Sequence, residues 1–428
     1  MRFKSTKGGS EEVDFKEAVI RGQAQNGGLY FPTEIPEISK DIIHNIKNIS
    51  EQDLAYHAIH HYVDDSIPEV ELNKIIEETL AFKTPLIKLD ERFHVLELFH
   101  GPTLAFKDIG ARFMSRCLAY FSKENNNQVT VLVATSGDTG SAVADGFFGV
   151  ENVEVVILYP SGKVSAVQEK QLTTYGGNVR AIEVMGNFDD CQRLVKQAFS
   201  DTRLRETLQL TSANSINIAR WLPQQFYYFN ALKQWDKKEA PVISVPSGNF
   251  GNICAGILAW KSGLPVKHFI AACNVNNVVS EFLSSGNYQP KKAIPTISNA
   301  MDVGDPSNFV RIMEIFSNNI PGLKSMLSSF YYTDEDTKSG MREIKKEFNY
   351  TAEPHGAIGY MALKDYLKIY PSASGIFLET AHPVKFPDAV EEEIRIPDRL
   401  KHIMSLKKNS VRIEPEYAQL RKLLEIRN

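Results

Sequence analysis

Along this chain, short runs of β-branched and aliphatic residues repeatedly end in a small or polar turn that leads into a helix-period segment. VTVLVA (129–134) runs into TSGDTGSAVADGF, and VEVVILYP (153–160) into KVSAVQEKQLTTYG. NVRAIEV runs into FDDCQRLVKQAF, APVISVP (240–246) into SGNFGNICAGILAW, and KHFIAACN into VNNVVSEFL. Apolar strands alternating with helices predict α/β units around largely parallel sheets. The units fall into two clusters, near 94–210 and 240–380, which predicts two lobes with a cleft between them. Residues 14–82 carry helix-period spacing in DFKEAVIRGQAQ, SEQDLAYHAIHHYV and VELNKIIEETLAF. The expected division is a helical N-terminal region (1–92), a first α/β lobe (93–235), a second (236–396) and a C-terminal helical tail (397–428).

With 428 residues the chain is long enough for two or three cores. A formal net charge of -4 lacks the basic stripe of a nucleic-acid binder. Cys117, Cys191, Cys254 and Cys273 are widely spaced and without Cys/His ligand spacing, so we expect reduced thiols, no structural metal and a cytoplasmic location. His57 and His61 share a helix face at i, i+4 but have no obvious acidic third ligand. No stretch approaches the roughly 20 apolar residues of a membrane span, and MRFKSTKGGSEEVDF has no signal-peptide core.

Ligands of open α/β sheets bind where strands end and helices begin. In ELFHGPTLAFKDIGARF (97–113), Lys107 falls in the first turn of a helix, directly after Leu104, Ala105 and Phe106. Lost hydration and the positive end of the helix both push an amine towards its neutral, nucleophilic form. The alternative is a solvated lysine lying over a helix start. In SGNFGN (247–252), Gly248 and Gly251 let the backbone curl and aim N–H groups at one point, which suits a phosphate monoester. The loop has neither the GxGxxG fingerprint nor the Gly-Lys-Ser/Thr of a nucleotide loop. TSGDTGS (135–141) offers hydroxyls and N–H groups for a carboxylate, with Asp138 as an odd member that caps the helix or meets another polar group. In SANSINIARW (212–221), Ser215, Asn217 and Arg220 form a candidate phosphate clamp, or else a capped helix with a surface arginine. One nucleophilic amine beside a phosphate handle suggests a phosphorylated aldehyde, which pyridoxal phosphate (PLP) is. The carboxylate loop then suggests an amino-acid substrate, and the second clamp a phosphorylated one.

HGPTLAFKD, ATSGDTGSA, SANSINIARWLPQ, PSGNFGN, EPHGAIG and TAHPVKF together resemble the threonine synthase family, fold-type II PLP enzymes of the tryptophan-synthase-β kind. The resemblance runs from STKGG and GGLYFP to about Pro397. It implies that Lys107 binds the cofactor aldehyde and shuttles protons, and that Gly248, Asn249, Phe250, Gly251 and Asn252 form the phosphate cup. It implies that Thr380 faces the pyridine nitrogen, with a neutral hydroxyl expected to leave that nitrogen unprotonated. Asp138, Ser136 and Thr139 would line the ring and the substrate carboxylate, and Ser215 and Arg220, helped by Asn217, would hold the substrate phosphate. The implied reaction turns O-phospho-L-homoserine and water into L-threonine and phosphate, in a monomer or small homo-oligomer. Lys7, Asn26 and Gly356 depart from the common family residues Arg, Asp and Thr. The lack of a long N-terminal extension leads us to expect no S-adenosylmethionine control. Rival readings are a phospho-lyase releasing phosphate and 2-oxobutyrate, a non-catalytic PLP or phosphometabolite binder, and a dinucleotide oxidoreductase, which the missing fingerprint disfavours.

Overall fold

The structure is a computed structural model that describes residues 1–125 and 128–426. Its first strands, β1 (Phe3–Ser5) and β2 (Tyr30–Pro32), pair antiparallel. Next come β3 (Leu86–Lys88), β4 (Phe93–Glu97), β5 (Val129–Ala134), β6 (Val153–Pro160), β7 (Val179–Val184) and β8 (Gln209–Ser212). The chain continues with β9 (Val242–Pro246), β10 (His268–Cys273), β11 (Leu327–Tyr331), β12 (Gly375–Glu379) and β13 (Val411–Ile413). Five strands in the order β13-β7-β6-β5-β8 form a small parallel sheet, and six in the order β11-β10-β9-β12-β4-β3 form a larger one. Every pair of the larger sheet is parallel except β3 with β4.

Helices cover both faces of parallel sheets, so their strands are apolar on both sides. All residues of β5, β6, β9, β10 and β12 are buried accordingly. The predicted helices form as Phe15–Arg21, Glu51–Val63 and Glu69–Thr79, the first two capped by Asp14 and Ser50. Glu51–Val63 packs on the helix Gln225–Gln234. In it Tyr56, His57, His60 and His61 touch ring to ring, His60 and Tyr56 stacked at 4.7 Å.

Two expected boundaries shift. A first lobe beginning at residue 93 would contain β4, yet β4 lies in the large sheet, with Gly375 opposite Phe93 and Glu379 opposite Glu97. Apolar β4 and β12 satisfy each other across a long stretch of chain, a pairing that local periodicity does not reveal. The tail is more than a terminal helix. β13 adds an edge strand to β7, and Leu420 and Leu424 of the helix Tyr417–Glu425 join the core beside Leu132 and Leu158.

The helix Lys107–Asn125 follows β4 of the large sheet but packs on the helix Asp138–Phe147 of the small one. Residue 107 therefore sits where the chain crosses between the lobes.

Candidate active site

Three predicted loops and the Thr380 segment lie at the carboxyl ends of the parallel strands. Thr135 follows β5, Ser215 lies just beyond β8, Ser247 follows β9 and Thr380 follows β12. The loop before Lys107 is held there by backbone bonds: Phe106 N–H donates to the Thr380 carbonyl (2.8 Å) and His382 N–H to that of Leu104 (3.0 Å). Leu104 has a φ of 61°, a left-handed conformation in which non-glycine residues are strained. Inside the turn, Asp108 accepts from Thr103 N–H (2.8 Å) and the Thr103 hydroxyl (2.5 Å), and burial raises its carboxyl to about 6.

Lys107 Nζ lies 5.0 Å from the Phe106 ring centroid, and among the described residues no protein group accepts its hydrogens. Burial lowers the pKa of the amine, and the charges of Lys385 and Arg220 act in the same direction against that of Asp138. An unpaired buried amine flanked by cations favours the neutral, nucleophilic form.

Sequence reading did not single out the second lysine of the site. Lys385 Nζ, fully buried, lies 2.6 Å from Asp138 and donates to the Thr103 carbonyl (2.9 Å). Asp138 also accepts from Gln168 Nε2 at 3.0 Å. Burial raises its carboxyl, but Lys385 and Lys107 more than offset that and hold it well below the usual carboxylate range. The acid that looked odd in an anion loop thus has a lysine as its partner. The lysine lies inside the quoted motif TAHPVKF, where a cation amid apolar residues was the available signal. Lys163, by contrast, is exposed in the turn before the Ser165 cap.

The loop after β9 is built as an anion cradle. Phe250 takes a left-handed φ of 59° immediately before the helix Gly251–Lys261. The N–H groups of Gly248 to Asn252 have no protein acceptor among the described residues. A Cβ on Gly248 would stand 2.5 Å from the Met301 Cα, so only glycine fits there. Tyr228 donates to Asn252 Oδ1 (2.9 Å) and its carbonyl (3.0 Å), leaving Asn252 Nδ2 buried without a protein partner. Ser215 Oγ accepts from Asn249 Nδ2 and Asn308 Nδ2, both at 2.9 Å, so the SANSINIAR loop is locked to this cradle. Arg311, fully buried, holds the same loop through the carbonyls of Ser215 (2.9 Å) and Ile216 (2.6 Å) and stacks on Trp221. The cradle, its orphaned buried amide and the free Lys107 amine fit a phosphorylated aldehyde such as PLP.

Within SANSINIAR the residues separate. Arg220 is buried, donates Nη1 to the Lys107 carbonyl at 3.3 Å, and keeps its other N–H groups free of protein acceptors among the described residues. Burial lowers it to about 10, so it remains a cation at neutral pH. Asn217 departs from the expected role. It caps Ile218–Trp221 through Ala219 N–H (3.0 Å) and donates Nδ2 to the Val19 carbonyl (2.9 Å), so both ends of its amide are engaged. Ser215 lies against the cradle, its Cβ 3.2 Å from where a Cβ on Gly251 would stand. Ser136 and Thr139 are half-buried at the start of Asp138–Phe147, their hydroxyls without protein partners among the described residues, while Thr135 Oγ1 ties Gly137 and Gly140 N–H (3.0 and 2.8 Å).

Behind Thr380 lies a buried acidic group that sequence reading also missed. The Thr380 hydroxyl is 3.3 Å from Glu353 Oε1, and Glu353 caps the helix Pro354–Ile369. Glu379 meets Glu353 N–H at 2.6 Å, and burial beside the Glu353 charge pushes its carboxyl well up. A Cβ on Gly356 would stand 1.5 Å from Glu379 Oε2. The departure at Gly356 is therefore the space Glu379 occupies.

Residues 78–374 match the family model described as "Pyridoxal-phosphate dependent enzyme". Residues 2–80 match "Threonine synthase N terminus", and residues 356–424 match "Threonine synthase, C-terminal". A threonine synthase of Haemophilus influenzae is 44% identical over 99% of both chains. The crystal structure of threonine synthase from Escherichia coli superposes with a TM-score of 0.93 at 44% identity over 99% of both chains. PLP-bound threonine synthase from Brucella melitensis gives 0.92 at 34% identity over 99% of this chain and 98% of that one.

Proposed function

Since the chain belongs to the threonine synthase family, we propose that this PLP-dependent fold-type II lyase makes L-threonine and phosphate from O-phospho-L-homoserine and water, with Lys107 as the working amine. The unpaired, buried Lys107, tied through Phe106 to the end of β12, and the SGNFGN cradle at the end of the neighbouring β9 carry this assignment. Lys385 is bound to Asp138, so its lone pair is unavailable.

PLP, when bound, supplies an aldehyde for an amine and an electron sink for a carbanion at the substrate Cα. The N–H groups of Gly248 to Asn252 hold its phosphate, helped by Asn252 Nδ2 and the Ser215 hydroxyl. Ser136, Thr139 and the N-terminus of Asp138–Phe147 hold the substrate carboxylate. Arg220 binds the substrate phosphate with its free guanidinium N–H groups, a charge-assisted contact in a buried setting. Lys107 Nζ, displaced by the substrate amine, takes the proton from Cα. A second proton leaves Cβ, and phosphate departs from Cγ towards Arg220. Protonation at Cγ, addition of water at Cβ and return of a proton from Lys107 to Cα then complete threonine. The four cysteines are free and buried, which suits a reducing cytoplasm. No helix among the described residues is long and apolar enough to cross a membrane.

Product analysis tests this reading. PLP-loaded protein given O-phospho-L-homoserine should yield threonine and phosphate one for one. Phosphate with 2-oxobutyrate, and no threonine, would make it a phospho-lyase on the same scaffold.

A further inference from the structure

The hydrogen bonds behind Thr380 have directions that can be worked out from their donors. Ala300 N–H, which can only donate, points at His355 Nε2 at 3.2 Å. That nitrogen is therefore bare, and the ring proton sits on Nδ1, 2.5 Å from Glu353 Oε2. Glu353 also receives the N–H groups of His355 (2.9 Å) and Gly356 (3.2 Å), at the positive end of a 16-residue helix. Glu379, its neighbour, receives only Glu353 N–H, and Glu379 Oε2 is buried without a partner. Of the two carboxyls, Glu353 has three N–H donors and the helix end, and Glu379 has one donor. Both Glu353 oxygens thus accept N–H donors, Oε2 from the backbone and ring of His355 and Oε1 from Gly356, while burial pushes the Glu379 carboxyl up.

Glu353 Oε1 already accepts the Gly356 N–H and stands as an acceptor towards the hydroxyl as well. At the 3.3 Å contact the Thr380 hydroxyl must therefore donate to Glu353 Oε1, and its oxygen presents only lone pairs to the cleft. A bare pyridine nitrogen also presents only a lone pair, and two acceptors repel. A protonated ring nitrogen fits.

We propose that Glu353 is a positioning residue that, through the Thr380 hydroxyl, sets the cofactor's ring nitrogen in its protonated form, with the N–H groups of His355 and Gly356 fixing Glu353 as an acceptor. This rests on the reading that Thr380 faces the ring nitrogen. It reverses the sequence expectation that a neutral hydroxyl leaves that nitrogen unprotonated. Threonine here passes on the acceptor role of a carboxylate one residue removed from the ring, and the electron sink is stronger than a lone hydroxyl provides.

The test is the nitrogen-15 chemical shift of the ring nitrogen in holoenzyme loaded with ring-labelled PLP. Wild-type protein should show a pyridinium-like shift; a pyridine-like shift overturns the proposal without any variant. In Glu353→Gln the amide can donate to Thr380, which frees the hydroxyl proton to point at the ring, and the shift should move to the pyridine range. Thr380→Val removes the acceptor and should move it the same way. If Thr380→Val moves the shift and Glu353→Gln does not, Glu353 has no role and the Thr380 placement stands. If neither moves it, the Thr380 placement itself is wrong, and the proposal falls with it.

Discussion

The two faces of the cleft are built differently. At the ends of the large sheet the polar groups are tied down. Asn249 is bonded to Ser215, Asn252 to Tyr228 and Thr380 to Glu353. At the end of the small sheet Ser136 and Thr139 hold their hydroxyls free of protein partners among the described residues, above a turn fixed from beneath by Thr135. A resident group benefits from a site whose geometry is settled before it arrives, because little ordering remains to oppose binding. A substrate that must enter and leave is better served by groups whose hydrogen bonds it completes itself. Asp138 and Lys385 join the two faces, since Asp138 opens the helix after β5 and Lys385 follows β12.

The comparison can be broken at four points. Lys107→Ala should lower turnover by at least on the order of 10³-fold while far-UV circular dichroism stays native, because the proton shuttle is lost and no packing is. Retained turnover would move the chemistry to another amine. Lys385→Met leaves Asp138 charged, buried and unpaired, and should cost about 3–5 kcal/mol in urea unfolding. Adding Asp138→Asn should recover part of that loss; a fully additive further loss would show that the two faces are not joined there.

Acid should weaken the large-sheet face selectively. Burial lowers His268, in β10, and His382, after β12, each to about 4. Their folded pKa values lie below the unfolded 6.5, so their contribution is complete above about 6.5 and is lost as pH falls towards about 4. Roughly 1–2 kcal/mol per histidine should disappear between pH 6.5 and 5, and His268→Gln should flatten that slope. An unchanged slope would place the acid sensitivity elsewhere. The smallest effect belongs to the substrate face: Ser136→Ala should raise KM by about tenfold or less and leave the melting temperature unchanged. A drop in stability there would mean that the hydroxyl was engaged by protein after all.

What the sequence made legible was local. Buried strands such as VTVLVA and APVISVP announce themselves by β-branched runs, and the loops after them by Gly and Ser at strand ends. Such local chemistry made Lys107, the SGNFGN loop and Arg220 candidates, and the family resemblance supplied their expected roles. What stayed hidden was non-local pairing. Nothing near Phe93 reveals that it lies beside Gly375, and nothing in the basic tail reveals an edge strand for β7. Asp138 could not be understood without Lys385, nor Thr380 without Glu353 and the space left by Gly356. Asn217 read as a phosphate ligand because a capping amide and a binding amide have the same sequence signature.

Two lysines stand in one site, and the central claim is that pairing decides between them: Lys385 is bound to Asp138 and Lys107 is not. Borohydride reduction of the holoenzyme, followed by proteolysis and mass spectrometry, fixes the cofactor to whichever lysine holds it. The pyridoxyl group should be found on Lys107. Finding it on Lys385, or on neither, would contradict the assignment.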